Sequence, residues 1–411
     1  MFPVEEARAQ FPALTLSVGE QPLAFLDAPG GTQVPRRVIQ AISNYLETSN
    51  ANTHGPFPTS RRTDDVLEGA HAAMGDLLGC SAEEIVFGPN MTSLTFALSR
   101  ALAREWGDGD QVLTTWAEHD ANVAPWRALG EDGVEVQQVE IDPADCMVDL
   151  DDLARKLSPR TRLVAIGYAS NAVGTIQPVA EVVRMAHSYG ALVFVDAVHY
   201  APHRLIDVGA LDCDFLACST YKFFGPHIGV LYGKRRHLNS YRPYKVRPAT
   251  ESVPYRWETG TQNHECLAGV TEAVDYLADL GKAVRAPTTS RRQALGTSFA
   301  LIERYESALA ERMLGGLLRI KGLRVFGITS LSRLHERTPT YGIRLENVTP
   351  GEAAGHLASR GICAWSGNFY ALSLTERLGI EERGGLLRLG LVHYNTAAEV
   401  DRVLKEVAAI S

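Results

Sequence analysis

Lys222 lies in CSTYKFFGPHIGVLYG (218–233), between a tyrosine and two phenylalanines. An amine in so apolar a setting loses affinity for its proton and becomes nucleophilic near neutral pH. The plainer alternative is a surface lysine in a turn. Asp196 directly follows the run ALVFV (191–195), and a carboxylate there is costly to bury unless a cation meets it. His119 comes shortly after QVLTT (111–115), with Trp116 and Trp126 nearby, and Asn171 comes shortly after RLVAIGYA (162–169). Thr92 and Ser93 stand where EIVFG (84–88) runs into a helical pattern. Free backbone N–H groups and hydroxyls at a helix start make an anion site, although Thr92 alone reads as an ordinary N-cap.

These residues share one feature: each follows a short apolar segment. EIVFG, QVLTT, VEVQQVEI (134–141), RLVAIGYA, ALVFVDA (191–197), DFLAC (214–218) and IGVLYG (228–233) read as strands, with helices expected over 92–106, 121–130, 149–157 and 178–189. Val-, Ile- and Leu-rich strands alternating with helices predict an α/β domain with a mostly parallel, seven-stranded sheet. Ligands of such sheets bind beyond the carboxyl ends of the strands. Upstream, PLAFLDA (22–28) reads as a strand, PRRVIQAISNYLET as a helix opened by Pro35, and RTDDVLEGAHAAMGDLLG as a helix closed by Gly79. Past residue 285 a long helical run gives way to strands near 323–327, 340–346, 361–365 and 386–392, with helices at 350–360 and from Thr396. This is a smaller α+β module. The expected division is a large domain over 20–285 and a small C-terminal domain over 286–411 joined by residues 1–19, with the long helix as connector.

The chain has 411 residues and a formal net charge of −8, and it shows no dense Lys/Arg block. That balance argues against nucleic-acid and anionic-membrane partners. Six scattered cysteines without a CxxC pair read as reduced, mostly buried thiols of a cytoplasmic protein. No secretory leader pattern or membrane-length apolar run is visible. His199 and His203, four apart, could share a helix face as zinc ligands, but Pro202 intervenes and no third ligand has a recognisable spacing, so no metal is expected.

A lysine, a carboxylate from a neighbouring strand, a helix-start anion site and a histidine able to stack on a ring together meet the needs of pyridoxal 5′-phosphate. That cofactor requires an amine for its aldehyde, a carboxylate for its pyridine nitrogen and a cup for its phosphate. The combination is far more specific than any one member.

From LAFLDAPGGTQVP to HYNTAAEVDRVL the chain resembles the class V aminotransferases of PLP fold type I, on the cysteine desulfurase and selenocysteine lyase branch. EHDANVAPW, SNAVGT, VDAVH, STYKFFGP and YNTAAEVDR carry the likeness. It implies that Lys222 holds the cofactor aldehyde, Asp196 meets the pyridine nitrogen and His119 stacks on the ring, with Asn171 and His199 near its phenolic oxygen. It further implies that Met91, Thr92, Ser219 and Tyr221 hold the phosphate, and that Thr261 in RWETGTQNHE reaches the phosphate of a second subunit in a homodimer. Ala28, Asn171 and Arg388 would bind the substrate, Arg388 through its α-carboxylate.

Two departures bear on the reaction. Tyr370 stands where desulfurases carry the loop cysteine that accepts sulfur, and Trp365 stands where several relatives carry arginine. Cys363, seven residues before Tyr370, reads as core. The function expected is therefore a cysteine desulfurase-like PLP enzyme performing β-elimination at a C–S bond of an amino acid without a loop cysteine. Lys222, His119 and Tyr370 would be the catalytic residues. Transamination and racemisation or epimerisation are the alternatives, and a non-catalytic binding protein of the same fold is a further one.

Overall fold

The protein is described here by a computed structural model covering residues 2–282 and 290–411. The expected domain boundary at 285/286 lies outside the described residues. Seven strands build the larger sheet: Ile85–Gly88 (β1), Gln111–Thr115 (β2), Glu135–Val139 (β3), Thr161–Gly167 (β4), Leu192–Asp196 (β5), Phe215–Ser219 (β6) and Gly229–Gly233 (β7). Their order is β1-β7-β6-β5-β4-β2-β3, with β7 antiparallel to both neighbours and the other six parallel to one another. Strands β1, β2, β6 and β7 are buried along their whole length, which is why they read as unbroken apolar runs rather than alternating ones.

Helices cover both faces. Arg36–Thr48 (α1) starts after Pro35, whose fixed φ suits the entry, and Pro58–Leu78 (α2) stops at Gly79 in the left-handed conformation (φ 78°). Met91–Ala103 (α3), Val179–Ser188 (α4) and His264–Lys282 (α5) complete the main layers. The helix expected over 121–130 is broken into single turns, with Ala124–Arg127 the only α-helical one, because Pro125 lacks the N–H that a longer helix needs. Of PLAFLDA, Pro22 ends the short strand Gln21–Pro22 and Ala24–Phe25 is a second one, which pairs in parallel with Ile362–Cys363.

The long helix Arg291–Leu317 (α6), opened by a Ser290/Gln293 capping box, belongs to two cores. Its first half buries Leu295, Phe299 and Ile302 in the core of the large sheet, and its second half buries Leu309, Met313, Leu314 and Leu317 in another core. That second core lies against the antiparallel strands Leu323–Val325 (β8), Thr340–Leu345 (β9), Trp365–Gly367 (β10) and Leu386–Gly390 (β11), in the order β8-β9-β11-β10. Pro350–Ser359 (α7) and Ala397–Ala408 (α8) cover it. The N-terminal segment, expected to accompany the small domain, lays Phe2 into the large core beside Tyr305 and Phe11 beside Phe224, Tyr276 and Tyr394. Three cysteines (146, 213 and 218) are buried, while Cys80, Cys266 and Cys363 are only half-buried, fewer than the sequence led us to expect. Among the described residues no helix is long and apolar enough to cross a membrane.

Candidate active site

The parallel strands deliver their polar residues to one edge of the large sheet. Asp196 ends β5, Lys222 follows β6 by one 3-10 turn, His119 follows β2 and Asn171 follows β4. Gly229 at the start of β7 lies against the turn that leads into α3. A Cβ there would come within 2.3 Å of the Asn90 backbone, so the close approach requires glycine. A cavity lies at this edge, lined by Thr92, His119, Asn171, Asp196, His199, Ser219, Tyr221 and Lys222 among others.

At one end of the cavity is the start of α3. Asn90, not Thr92, is the N-cap, accepting a hydrogen bond from the Ser93 N–H at 2.8 Å. Thr92 is thus left exposed in the first turn with its hydroxyl free for a ligand. The Met91 N–H donates to Ser219 Oγ at 3.2 Å, fixing that hydroxyl beside the helix start. Tyr221 stacks on His227 (centroids 4.9 Å, 18° between planes) and faces the same space. Together these groups can offer donors to an anion.

Asp196 is buried and has one hydrogen bond, from the Val198 N–H to Oδ1 at 2.9 Å. Burial pushes its carboxyl up to about 6, although nearby Lys222 pulls the other way. Burial also brings the Lys222 amine down to about 7, helped by the positive charge of Arg388 and opposed by Asp196. Its Nζ donates to the Pro29 carbonyl and lies 4.9 Å from the centroid of the Tyr221 ring. His119 Nδ1 accepts from the Ala121 N–H at 3.0 Å, which leaves the neutral ring's proton on Nε2. Burial, with the charges of Lys222 and Arg388, lowers His119 to about 4, so the ring is neutral at physiological pH. His199 is buried, pairs with Thr338 Oγ1 at 3.1 Å, and is held neutral by burial. His203 pairs with Glu306 at 2.8 Å instead of sharing a ligand with His199.

The second half of the chain closes the site. Arg388, on β11, is buried; its Nη1 donates to the Asn171 carbonyl at 3.0 Å while its Nε has no protein partner. Asn171 donates its amide to the Phe369 carbonyl at 2.8 Å, and its Oδ1 is likewise unpartnered. The guanidinium lies 4.1 Å from the centroid of the Phe369 ring. Phe369 (φ 58°) and Tyr370 (φ 59°) are both in the left-handed region, which costs roughly 1–2 kcal/mol per non-glycine residue. Pinning comes from Asn171 on Phe369, from the Asp120 N–H donating to the Tyr370 carbonyl at 2.7 Å, and from Asn368 accepting the Tyr370 N–H at 3.0 Å. Tyr370 is 72% exposed and stacks on His119 (5.5 Å, 26°), so in this structure His119 faces a tyrosine.

Two expected residues stand apart. Ala28 is buried behind the wall, where its neighbours Pro29 and Gly30 line the site instead. Thr261 is exposed and does not line its own chain's cavity. Cys363 is half-buried on the two-residue strand beside Phe25, and burial and Asp27 push its thiol upward. Sequence reasoning missed Glu118, which is fully buried beneath His119. It accepts from Thr115 at 2.6 Å and Asn122 at 2.7 Å, and burial pushes it up to about 7. The acid next to His119 was its only signal. Phe369 carried none, since nothing in an aromatic residue announces a left-handed backbone. Among the described residues no cluster of three metal-ligating side chains occurs.

The residues present fit pyridoxal 5′-phosphate. The cavity joins an amine of lowered pKa, a buried carboxylate with a single hydrogen bond, helix-start donors for an anion and two buried polar atoms without partners. Comparison with known proteins points the same way. The family model described as aminotransferase class-V matches residues 24–403. A cysteine desulfurase of Synechococcus elongatus is 31% identical over 100% of this chain, which spans 64% of that protein's length. A cysteine desulfurase of Enterobacter sp. is 32% identical, covering 98% of this chain and 97% of its own. The apo structure of the cysteine desulfurase from Thermococcus onnurineus superposes with a TM-score of 0.87 at 26% identity, covering 100% of this chain and 98% of that one.

Proposed function

The chain belongs to the class-V aminotransferase family, on its cysteine desulfurase-like branch, and on that premise we propose that it cleaves the Cβ–S bond of an S-bearing amino acid by β-elimination. It is a pyridoxal 5′-phosphate-dependent enzyme. One observation carries the proposal: among the described residues no cysteine lines the cavity or its vestibule, and Tyr370 occupies the rim over His119. Sulfur leaving the substrate there meets no thiol to receive it.

In this reading Lys222, Asp196 and the donors at the start of α3 hold the cofactor, which when bound withdraws electrons from the substrate Cα. Arg388 grips the substrate α-carboxylate through the donors it does not spend on Asn171, with Phe369 walling one face of the guanidinium. Lys222 Nζ, brought down to about 7 and so half-neutral there, takes the Cα proton. The Cβ–S bond then breaks with its electron pair on sulfur, and the Tyr370 hydroxyl gives the thiolate a proton. His119, its proton fixed on Nε2, positions Tyr370 by stacking. Water hydrolyses the released enamine to a keto acid and ammonia, with no net redox change. The same Lys222 proton step serves transamination and racemisation, so product identity decides among them. The reading includes a homodimer in which exposed Thr261 contacts the phosphate of the other subunit.

The test is the holoenzyme with S-substituted cysteines, assayed for thiol, keto acid and inversion at Cα. Equimolar thiol and keto acid are expected, with Tyr370→Phe lowering kcat by roughly 10²-fold, the scale of a lost proton donor. Inversion or a new amino acid without thiol release would overturn the reading.

A further inference from the structure

We propose that the substituent carried on the departing sulfur is bulky, uncharged and aromatic or similarly apolar, and that it is seated against Trp365 and Phe96. This rests on the C–S lyase reading for the bond broken; the vestibule supplies the rest. Past Thr92, His119 and Asn171 the inner cavity opens into an outer space of about 770 Å³, far more than a cysteine side chain fills. Five of its lining residues are aromatic: Phe96, Tyr221, Trp365, Phe369 and Tyr370.

Backbone register places Trp365. It lies directly opposite Arg388 in the antiparallel β10–β11 pair, so the two side chains share a face. A Cβ built on Gly30 would lie 3.1 Å from Trp365 Nε1 and 3.5 Å from Arg388 Nη2, so indole and guanidinium converge on one point. An amino acid held by Arg388 therefore has an aromatic wall at its side. Trp365 is 57% exposed, a large apolar surface left uncovered at the mouth of a site.

Charge narrows the class further. Among the described residues the only Lys or Arg lining the vestibule are Lys222 and Arg388, both already committed, and Asp120 is also present. A second carboxylate or a phosphate on the side chain would find no cation and would meet an acid.

The test measures kcat/KM of the holoenzyme for S-benzyl-, S-methyl-, S-carboxymethyl- and S-aminoethylcysteine, by thiol release and by substrate-induced change in cofactor absorbance. S-benzylcysteine is expected to be preferred and S-carboxymethylcysteine the poorest. Trp365→Ala should lower the benzyl-over-methyl preference roughly tenfold, the scale of a lost aromatic contact, through KM, and Trp365→Phe should restore most of it. A preference for the methyl, carboxymethyl or aminoethyl compound, or an equal loss for benzyl and methyl in Trp365→Ala, would overturn the proposal. Failure of the underlying reading looks different. No thiol is then released from any compound, while the absorbance change still ranks S-benzylcysteine first and the ranking still collapses in Trp365→Ala.

Discussion

Lys222 and Asp196 are a buried amine and a buried carboxylate whose pKa values burial drives toward each other, to about 7 and about 6. The lysine must be neutral to take up an aldehyde. Cofactor loading of the apoprotein, followed by absorbance, is therefore expected to accelerate as pH rises through about 7 and to level off above it. The charge of Arg388 helps to lower the amine, so Arg388→Gln should move that midpoint to higher pH. A midpoint at the ordinary lysine value of 10.5, indifferent to Arg388, would contradict this account. Lys222→Ala should leave the purified protein colourless. At this scale the sequence was informative wherever chemistry needs a rare residue in an unusual place, as with Lys222 among aromatics and Asp196 after ALVFV. It was silent on Phe369 and on the unpartnered atoms of Asn171 and Arg388, because those depend on segments some 200 residues apart meeting in space.

Elements place these residues. Six parallel strands point their carboxyl ends one way, so His119, Asn171, Asp196 and Lys222 reach one edge although they span more than a hundred residues. Apolar runs made these strands legible to within two residues at most ends. The helix over 121–130 was misread because its apolar spacing is helical while Pro125 is not compatible with a longer helix. The cap of α3 was misassigned by two positions: Thr92 and Asn90 are both good caps, and only the fold decides. Asn90→Ala is expected to destabilise the apoprotein by about 1 kcal/mol, the usual worth of such a cap, measured by chemical denaturation, and to weaken phosphate retention. Thr92→Ala should leave apoprotein stability within about 0.5 kcal/mol of wild type yet weaken phosphate retention as well. Equal destabilisation by the two would show that Thr92 is the cap after all.

At the scale of the molecule, α6 spans two cores and β11 carries Arg388 to an edge built by the other sheet, so the site exists only where the two halves meet. A second subunit is expected to complete it. Mixing Lys222→Ala with Thr261→Ala subunits should regenerate one intact site per hybrid dimer and recover tight cofactor retention in part. No recovery would remove Thr261 from the site. The family was legible over nearly the whole length; the reaction was not, because at the positions the resemblance makes decisive the chain reads Tyr370 and Trp365. The most direct test of elimination without a sulfur-accepting cysteine is to identify the product formed from cysteine or an S-substituted cysteine, using both wild type and Cys363→Ser. The account predicts keto acid and free thiol or sulfide in equal amounts, unchanged in Cys363→Ser. Alanine together with a persulfide on the protein, lost in Cys363→Ser, would contradict it.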